Sequence, residues 1–413
     1  MRDIIIIGGG AAGLMAAITA ARLGASVTIF EKNARPGRKL CITGKGRCNI
    51  TNNCSKEAFI ENVNSNPRFM YSAINAFDCS DTIEFFESLG LPVKTERGNR
   101  VFPQSDRATD VVKALESEAV SLGVEIINSH SVTGLLIDDG AVKGVRVKKE
   151  TFESKAVIIA TGGCSYPRTG STGDGYAFAK SAGHTVIPAQ PSLVPLVCNG
   201  EDLDDCVSMQ GLSLRNVSVK LLKGKKEVYS DFGELLFTHF GLSGPTVLSS
   251  SAHAKDFSGE GYVLSIDLKP ALNFEKLDAR VIRDLDKYKN REISNSLSDL
   301  LPSSMIPVVI RRAGIDPATR CNSITREKRH ELVSVIKNLS FTPVGTRPID
   351  EAIITRGGVK TSEIDPATMK SKLCQGLYFC GEVIDVDAYT GGFNLQIAFS
   401  TAALAGTWAV YDL

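Results

Sequence analysis

The chain has 413 residues, with 47 Lys+Arg against 46 Asp+Glu, a net charge of +1 and 43% hydrophobic residues. That length suits two to three domains with a core large enough to need no disulfide or metal staple. The charge balance excludes the basic excess of a nucleic-acid binder or an electrostatically held membrane protein, and no apolar run reaches the ~18 residues of a membrane span.

Met1-Arg2-Asp3 leads straight into four isoleucines, which predicts no signal peptide and a strand over 4–7 buried on both faces of a parallel sheet. The Ala-rich stretch 11–23 stops before Gly24 and predicts a helix with a C-terminal glycine. Residues 26–31 form the next strand, completing a βαβ unit. Residues 33–53 are a basic, glycine-punctuated loop with no period, holding Arg35, Arg38, Lys39, Lys45 and Arg47; loops this long in a compact domain are usually functional. A helical stripe covers 107–122. Strands are expected at 124–128, 131–137, 142–148 and 156–160, with Asp138-Asp139-Gly140 as a hairpin turn, and a short helix at 174–182. Composition shifts near Pro188. Val217, Val219 and Leu221 alternate with polar residues and Lys223-Gly224-Lys225 turns the chain, so 189–268 is read as β-rich. Helices are expected at 274–301 and 326–339. The Gly-rich, apolar character returns from Ile353, and 395–408 reads as a small-residue helix.

Glycine is 37 of 413 residues, about 9% against an average of about 7%, and the excess is clustered. Gly8-Gly9-Gly10-Ala11-Ala12-Gly13 fits GxGxxG between a strand and a helix, and Glu31 ends the next strand 18 residues after Gly13. In that context Gly8 permits the tight turn, Gly10 lets a pyrophosphate approach the backbone, and Gly13 lets the helix pack on the strand. Free amides and the helix dipole would hold the pyrophosphate, while Glu31 would accept both hydroxyls of an adenosine ribose and repel a 2′-phosphate. The segments VIIATGG (157–163) and GLYFCGE (376–382) resemble strand ends that approach FAD in glutathione-reductase-type flavoproteins, with Glu382 where Asp is usual. GSTGDG (170–175) resembles the TGDG turn of succinate dehydrogenase and fumarate reductase flavoproteins. Together these imply FAD.

Three distant blocks then match in order: GRKLCITGKGRCNITN (37–52), GELLFTHFGLSGP (233–245) and the tail 355–406 containing DAYTGGFNLQIAFSTAALAG. They resemble the BaiN/RdsA family of bacterial flavoproteins, which includes bile-acid dienone reductases and an aminoacetone oxidase. The resemblance implies an α/β fold: a Rossmann-like, glutathione-reductase-type FAD-binding domain (1–188 and 353–413) interrupted by an insert. The insert would have a β-barrel part (189–268 and 340–352) and a helical part (269–339). The expected FAD contacts are Gly8, Gly10, Ala11, Ala12, Gly13, Glu31 and Lys32 at the fingerprint; Arg38, Lys39, Gly44, Gly46 and Asn49 in the basic loop; Val132, Thr161 and Gly162; and Gly381, Glu382, Asp387, Gly392, Asn394, Leu395 and Gln396 in the tail. Glu382 and Asp387 would bind ribitol hydroxyls or order the loop. Gly391-Gly392 would let the backbone approach a flat ring at the start of a helix whose dipole favours negative charge.

Cys41 and Cys48 raise a rival reading as a redox disulfide, but six residues separate them and no second GxGxxG offers an NADPH site. Among ten cysteines and five histidines no CxxC pair or zinc spacing occurs, so no metal is expected and the thiols are expected reduced in a cytoplasmic protein. His239 and Tyr389 are the candidate catalytic groups. The leading expectation is hydride transfer through flavin N5 in a cavity between FAD domain and insert. NADH would reduce a conjugated C=C bond of a hydrophobic, carbonyl-bearing small molecule, a 3-oxo-4-ene or 4,6-diene steroid by the family resemblance. An O₂-dependent oxidase of a small amine or aminoketone is the first alternative. A non-catalytic or RNA-associated flavin-binding protein is the second, and the +1 charge counts against RNA. No nucleic-acid or membrane partner is expected.

Overall fold

A computed structural model describes residues 2–257 and 261–413; positions 258–260 of the expected β-rich stretch lie outside the described residues. The chain divides into two units, Met1–Ser192 with Ile349–Leu413, and Leu193–Pro348.

In the first unit, strand Arg2–Ile7 lies between Val27–Phe30 and Glu150–Ile159, parallel to both. Ile4, Ile5 and Ile6 are fully buried. Both faces of the strand are covered, and for that reason its sequence shows no polar alternation. Glu125–Ile127 extends the sheet beside Val27–Phe30, and Leu377–Phe379, from the far end of the chain, joins Glu150–Ile159 in parallel. The strand Glu150–Ile159 does two jobs. Residues 150–153 pair antiparallel with Ala141–Val147, and its second half forms the parallel centre. The hairpin between Val132–Asp138 and Ala141–Val147 turns at Asp139 (φ 46°) and Gly140 (φ 71°), the left-handed pair that a two-residue turn of this hand requires.

Helix Ala11–Arg22, here α1, follows the first strand, and the C-terminal helix Phe393–Tyr411 packs on it. Small residues allow the approach: a Cβ on Gly406 would lie 2.6 Å from the Ala16 carbonyl oxygen.

The stretch 51–106 carries structure that its sequence did not announce. Helices Lys56–Glu61, Tyr71–Ala76 and Cys79–Ser88 lie between the first and the later strands of a small antiparallel sheet of Thr51–Asn52, Arg100–Pro103 and Val93–Glu96. The third helix is held by a reciprocal cap, Asp78 with Asp81. Strand Val186–Ser192 pairs with Ile354–Val359, so the first unit extends to Ser192. Pro188 and Pro191 are tolerated because this is a two-stranded sheet in which each strand is an edge.

In the second unit, seven antiparallel strands follow the order Leu339–Phe341, Tyr262–Asp267, Ser213–Lys223, Lys226–Thr238, Gly241–Ser243, Leu196–Val197, Gly345–Thr346. A flat sheet of this width would hold its edges about 29 Å apart. Here the two edge strands are joined by residues 342–344, which span about 15 Å at most. The sheet therefore curls into an open, barrel-like form, with no ladder closing it among the described residues. Helices Phe274–Lys287, Ile306–Arg312 and Arg326–Lys337 lie between the strands Tyr262–Asp267 and Leu339–Phe341. The helix expected over 274–301 ends at Lys287, because Glu292 bridges to Arg320 and a single turn at Ile293–Asn295 follows. The helix expected to reach 339 ends at Lys337, because residue 339 begins a strand. Among the described residues no helix is long and apolar enough to cross a membrane.

Gly406→Val should force the C-terminal helix away from α1. Overpacking typically costs about 1–3 kcal/mol, and at ~2–4 °C per kcal/mol the melting temperature should fall by roughly 2–12 °C. Thermal denaturation followed by circular dichroism checks this, and an unchanged melting temperature would contradict the close packing.

Candidate functional site: a dinucleotide cleft

A cleft of about 1210 Å³, its open mouth included, lies at the carboxyl ends of the parallel strands of the first unit, at Ile7-Gly8, Phe30-Glu31, Ala160-Thr161 and Cys380-Gly381. That is where ligands bind in open α/β sheets. The three fingerprint glycines have separate duties. Gly8 turns at φ 103°, and a Cβ there would meet the Ala160 carbonyl oxygen at 2.7 Å. A Cβ on Gly13 would lie 1.8 Å from the Gly8 oxygen, so only glycine lets α1 sit down on the strand end. A Cβ on Gly10 would meet nothing within 4 Å; its space opens into the cleft. Gly10 is the N-cap of α1 and no side chain caps the helix, which leaves backbone N–H groups and the positive end of the dipole for a ligand.

Glu31 is 6% exposed and lines the cleft. One carboxylate oxygen accepts the Gly9 N–H (2.8 Å), and the other accepts the Asn33 backbone N–H (2.7 Å) and Nδ2 (2.6 Å). A carboxylate has about four acceptor sites, so about one remains for a ribose hydroxyl rather than the two expected. The opposite wall is built by a clamp. Lys39 Nζ donates to Glu382 Oε2 and to Ser165 Oγ, both at 2.6 Å. Glu382 Oε1 accepts from Ser165 Oγ (2.9 Å) and from the Thr355 N–H (2.9 Å). Lys32 is drawn to Asp174 (2.6 Å), and Arg38 reaches Asn33 (2.7 Å).

Of the expected contacts, Gly8, Gly10, Ala11, Ala12, Glu31, Lys32, Arg38, Lys39, Val132, Thr161, Gly162, Gly381, Glu382, Asn394 and Leu395 line this cleft. Others do not. Gly13 is spent on packing. Asp387 is fully buried and accepts hydrogen bonds from Ser65 and Ser192, so it orders the loop. Gln396 is also buried, accepting from Thr51 and Thr82 and donating to the Phe77 carbonyl and Ser400. Gly392 presses on Thr51, where a Cβ would meet backbone at 2.3 Å. Gly44, Gly46 and Asn49 sit in the basic loop beyond the lining, with Asn49 Oδ1 buried and without a partner among the described residues. Arg47 of that loop is engaged by Glu96 and Asp106 and stacks on Phe102. Tyr389 is half-buried against the core of the first unit, its carbonyl accepting from Asn394 (3.2 Å). His239 is exposed on the turn Thr238–Gly241 of the second unit, edge-on to Phe240. Neither candidate catalytic group lines the cleft.

Several lining residues went unrecognised in the sequence. His130 joins Val132 on the wall, its Nδ1 within 2.8 Å of the Asn128 carbonyl oxygen. Asn33 and Ile354 also line it. Asn33 follows the acidic strand end by two residues and was legible there; Ile354 carries no polar signal.

The residues present fit FAD. Two helix N-termini, α1 and the C-terminal helix, lack side-chain caps and supply residues to the same cleft. The first suits a pyrophosphate, the second an electron-rich ring edge. Between them Thr161 Oγ1 lies buried with no partner among the described residues. The ten cysteines are free. Cys48 is enclosed, and burial pushes its thiol up to about 12. No group of three or more His, Cys, Asp or Glu among the described residues could hold a metal ion.

The sequence matches the HI0933-like protein Rossmann domain over residues 2–408. It is 33% identical over 98% of both chains to a 3-dehydro-bile acid delta(4,6)-reductase of Clostridium scindens. It is 35% identical over 96% of both chains to a ribosomal RNA dihydrouridine synthase of Haemophilus influenzae. In fold it is similar to a 3-ketosteroid-delta4-(5alpha)-dehydrogenase from Rhodococcus jostii RHA1, at 18% identity and TM-score 0.51 over 99% of this chain and 96% of that one. The chain belongs to the HI0933-like family of FAD-binding Rossmann proteins, the BaiN/RdsA type, and is an FAD-dependent oxidoreductase.

Gly10→Val should fold, since its side chain meets open space, but should fill the pyrophosphate cradle and purify colourless. Circular dichroism with the flavin absorbance of the purified protein checks this; yellow Gly10→Val at full occupancy would contradict the assignment. Cys41→Ser with Cys48→Ser should keep flavin turnover within about twofold, because a buried protonated thiol is a poor nucleophile. Steady-state turnover of the double variant reads this out.

Proposed function

We propose, with membership of the HI0933-like family as the premise, that this oxidoreductase reduces a C=C bond conjugated to a carbonyl, taking hydride from NADH. One observation carries the reading. The two relatives at 33% and 35% identity are named for reactions on unlike molecules that share this bond type. A 4,6-diene beside a 3-oxo group and the C5=C6 bond of uridine are both polarised by an adjacent carbonyl. The substrate proposed is a steroidal 3-oxo-4-ene or 4,6-diene, supported by the bile-acid relative and by the +1 net charge.

Bound FAD supplies hydride exchange at its N5. The chain's own residues do the rest. The α1 amides and Gly10 hold the pyrophosphate. Glu31 takes a ribose hydroxyl, and its charge disfavours a 2′-phosphate. Lys39 and Ser165 keep Glu382 fixed on the cleft wall, so that its carboxylate orients hydroxyls along the cofactor chain. The N-terminus of Phe393–Tyr411 favours negative charge on whatever ring edge it faces. Asn394 accepts the Ala388 N–H and donates to the carbonyls of Ala388 and Tyr389, setting the loop from which the Tyr389 phenol would protonate the α-carbon or polarise the carbonyl.

A second reading keeps the bond type and changes the molecule: uridine in ribosomal RNA, favoured by the Haemophilus influenzae relative and a further one from Escherichia coli at 30% identity. The near-neutral charge is unfavourable for a protein that must hold a phosphate backbone.

Anaerobic rapid mixing distinguishes these readings. NADH should bleach the flavin of the holoprotein. A 3-oxo-4,6-diene steroid should restore its colour, while transcribed ribosomal RNA should gain no dihydrouridine. Tyr389→Phe should retain FAD and its reduction by NADH, but slow reoxidation by the dienone about 10²–10⁴-fold. Unaltered reoxidation would exclude Tyr389 as the proton donor. Dihydrouridine formation without dienone turnover would establish the second reading.

A further inference from the structure

Two of the strands that end at the flavin cleft, Glu150–Ile159 and Leu377–Phe379, also border a second cavity. Glu150–Ile159 enters its parallel stretch at Ser154, opposite Arg2, and Leu377–Phe379 lies beside it. At that end a cavity of about 720 Å³, mouth included, is lined by Lys143, Ser154, Lys155, Lys370, Tyr378 and Asp412 over a floor that includes Val142, Ala156 and Ala409. None of these residues lines the flavin cleft, and the run from Ser154 to Ala160 places the two sites about 20 Å apart.

Two independent features mark it as a binding site. Ser154 is 1% exposed, yet its Oγ has no partner among the described residues. A buried hydroxyl left unpaired is costly, and in native structures such a group usually finds a partner in water or a ligand. The charge around it is also unbalanced. Asp412 is the acidic side chain of the lining, and it already accepts from Lys370 Nζ (2.6 Å) and from the Tyr378 hydroxyl. Lys155 reaches out to Asp3 (2.8 Å). Lys143, exposed at the mouth, has no carboxylate partner among the described residues. The site thus offers a hydroxyl donor and an unspent cation above an apolar floor.

We propose that this cavity binds a small organic anion, whose carboxylate or phosphate is taken by Lys143 and the Ser154 hydroxyl and whose apolar body rests on Val142, Ala156 and Ala409. The site does not depend on the reaction proposed above, because it shares no residue with the flavin cleft.

Isothermal titration of the holoprotein with phenyl phosphate and with 3-phenylpropionate tests it, the pair deciding which head group is held. One of the two should bind saturably at one site per chain and leave the flavin absorbance spectrum unchanged. Ser154→Ala and Lys143→Gln should each weaken that binding about tenfold, as loss of a hydrogen bond to a charged group does. Inorganic phosphate should bind more weakly than phenyl phosphate. Failure of both organic anions to bind, unchanged affinity in both variants, or binding that perturbs the flavin spectrum would each overturn the proposal.

Discussion

Everything in the flavin unit depends on one contact with no room in it: the backbone of α1 seated on the backbone of the first strand's end, with Gly13 facing the Gly8 carbonyl so closely that a methyl group would overlap it. That contact aims the α1 amides at the cleft. The same helix is also pressed by Gly406 of the C-terminal helix, against Ala16 and Thr19. With α1 fixed by both contacts, Gly10 can be the one fingerprint glycine whose empty space faces a ligand.

The cleft wall and the loops behind it are then joined by polar contacts between residues distant in the sequence. Lys39 meets Glu382, Thr51 meets Gln396, and Ser65 and Ser192 meet Asp387. Each closes a loop of roughly two hundred to three hundred and fifty residues. Such closures cost entropy that grows only slowly with loop length, so the long excursion of residues 193–348 is thermodynamically tolerable. Buried polar groups such as Asp387 and Gln396, each satisfied by several partners, fix the tail loop in one arrangement.

Much of this was legible before any coordinates. The isoleucine run, the glycine fingerprint and Glu31 announce a βαβ unit because each residue type there is demanded by local backbone geometry. The return of a Gly-rich, apolar tail announced a strand and helix completing the same sheet. Asp387 and Gln396 could not be placed, because a polar residue beside a glycine turn reads alike whether it meets a ligand or closes a loop. The helices and small sheet of 51–106 were silent because they are short, and the third helix caps with Asp78 and Asp81 rather than the commoner Ser or Thr with Glu. In the insert, the end of the helix at Lys287 was set by a bridge to Arg320, a contact no local pattern contains.

The clamp between Lys39 and Glu382 also sets an order of events during synthesis. Residue 382 must have left the ribosome before the second wall of the cleft exists, so the pyrophosphate cradle at α1 waits, formed or unformed, for a segment made 343 residues after Lys39. Flavin captured at that moment would bridge residues far apart in the chain, and by mass action it would stabilise the closed arrangement in proportion to the logarithm of its concentration over its dissociation constant. A chain cut short before Glu382 would lack the partner of Lys39 and with it the wall on which that stabilisation depends.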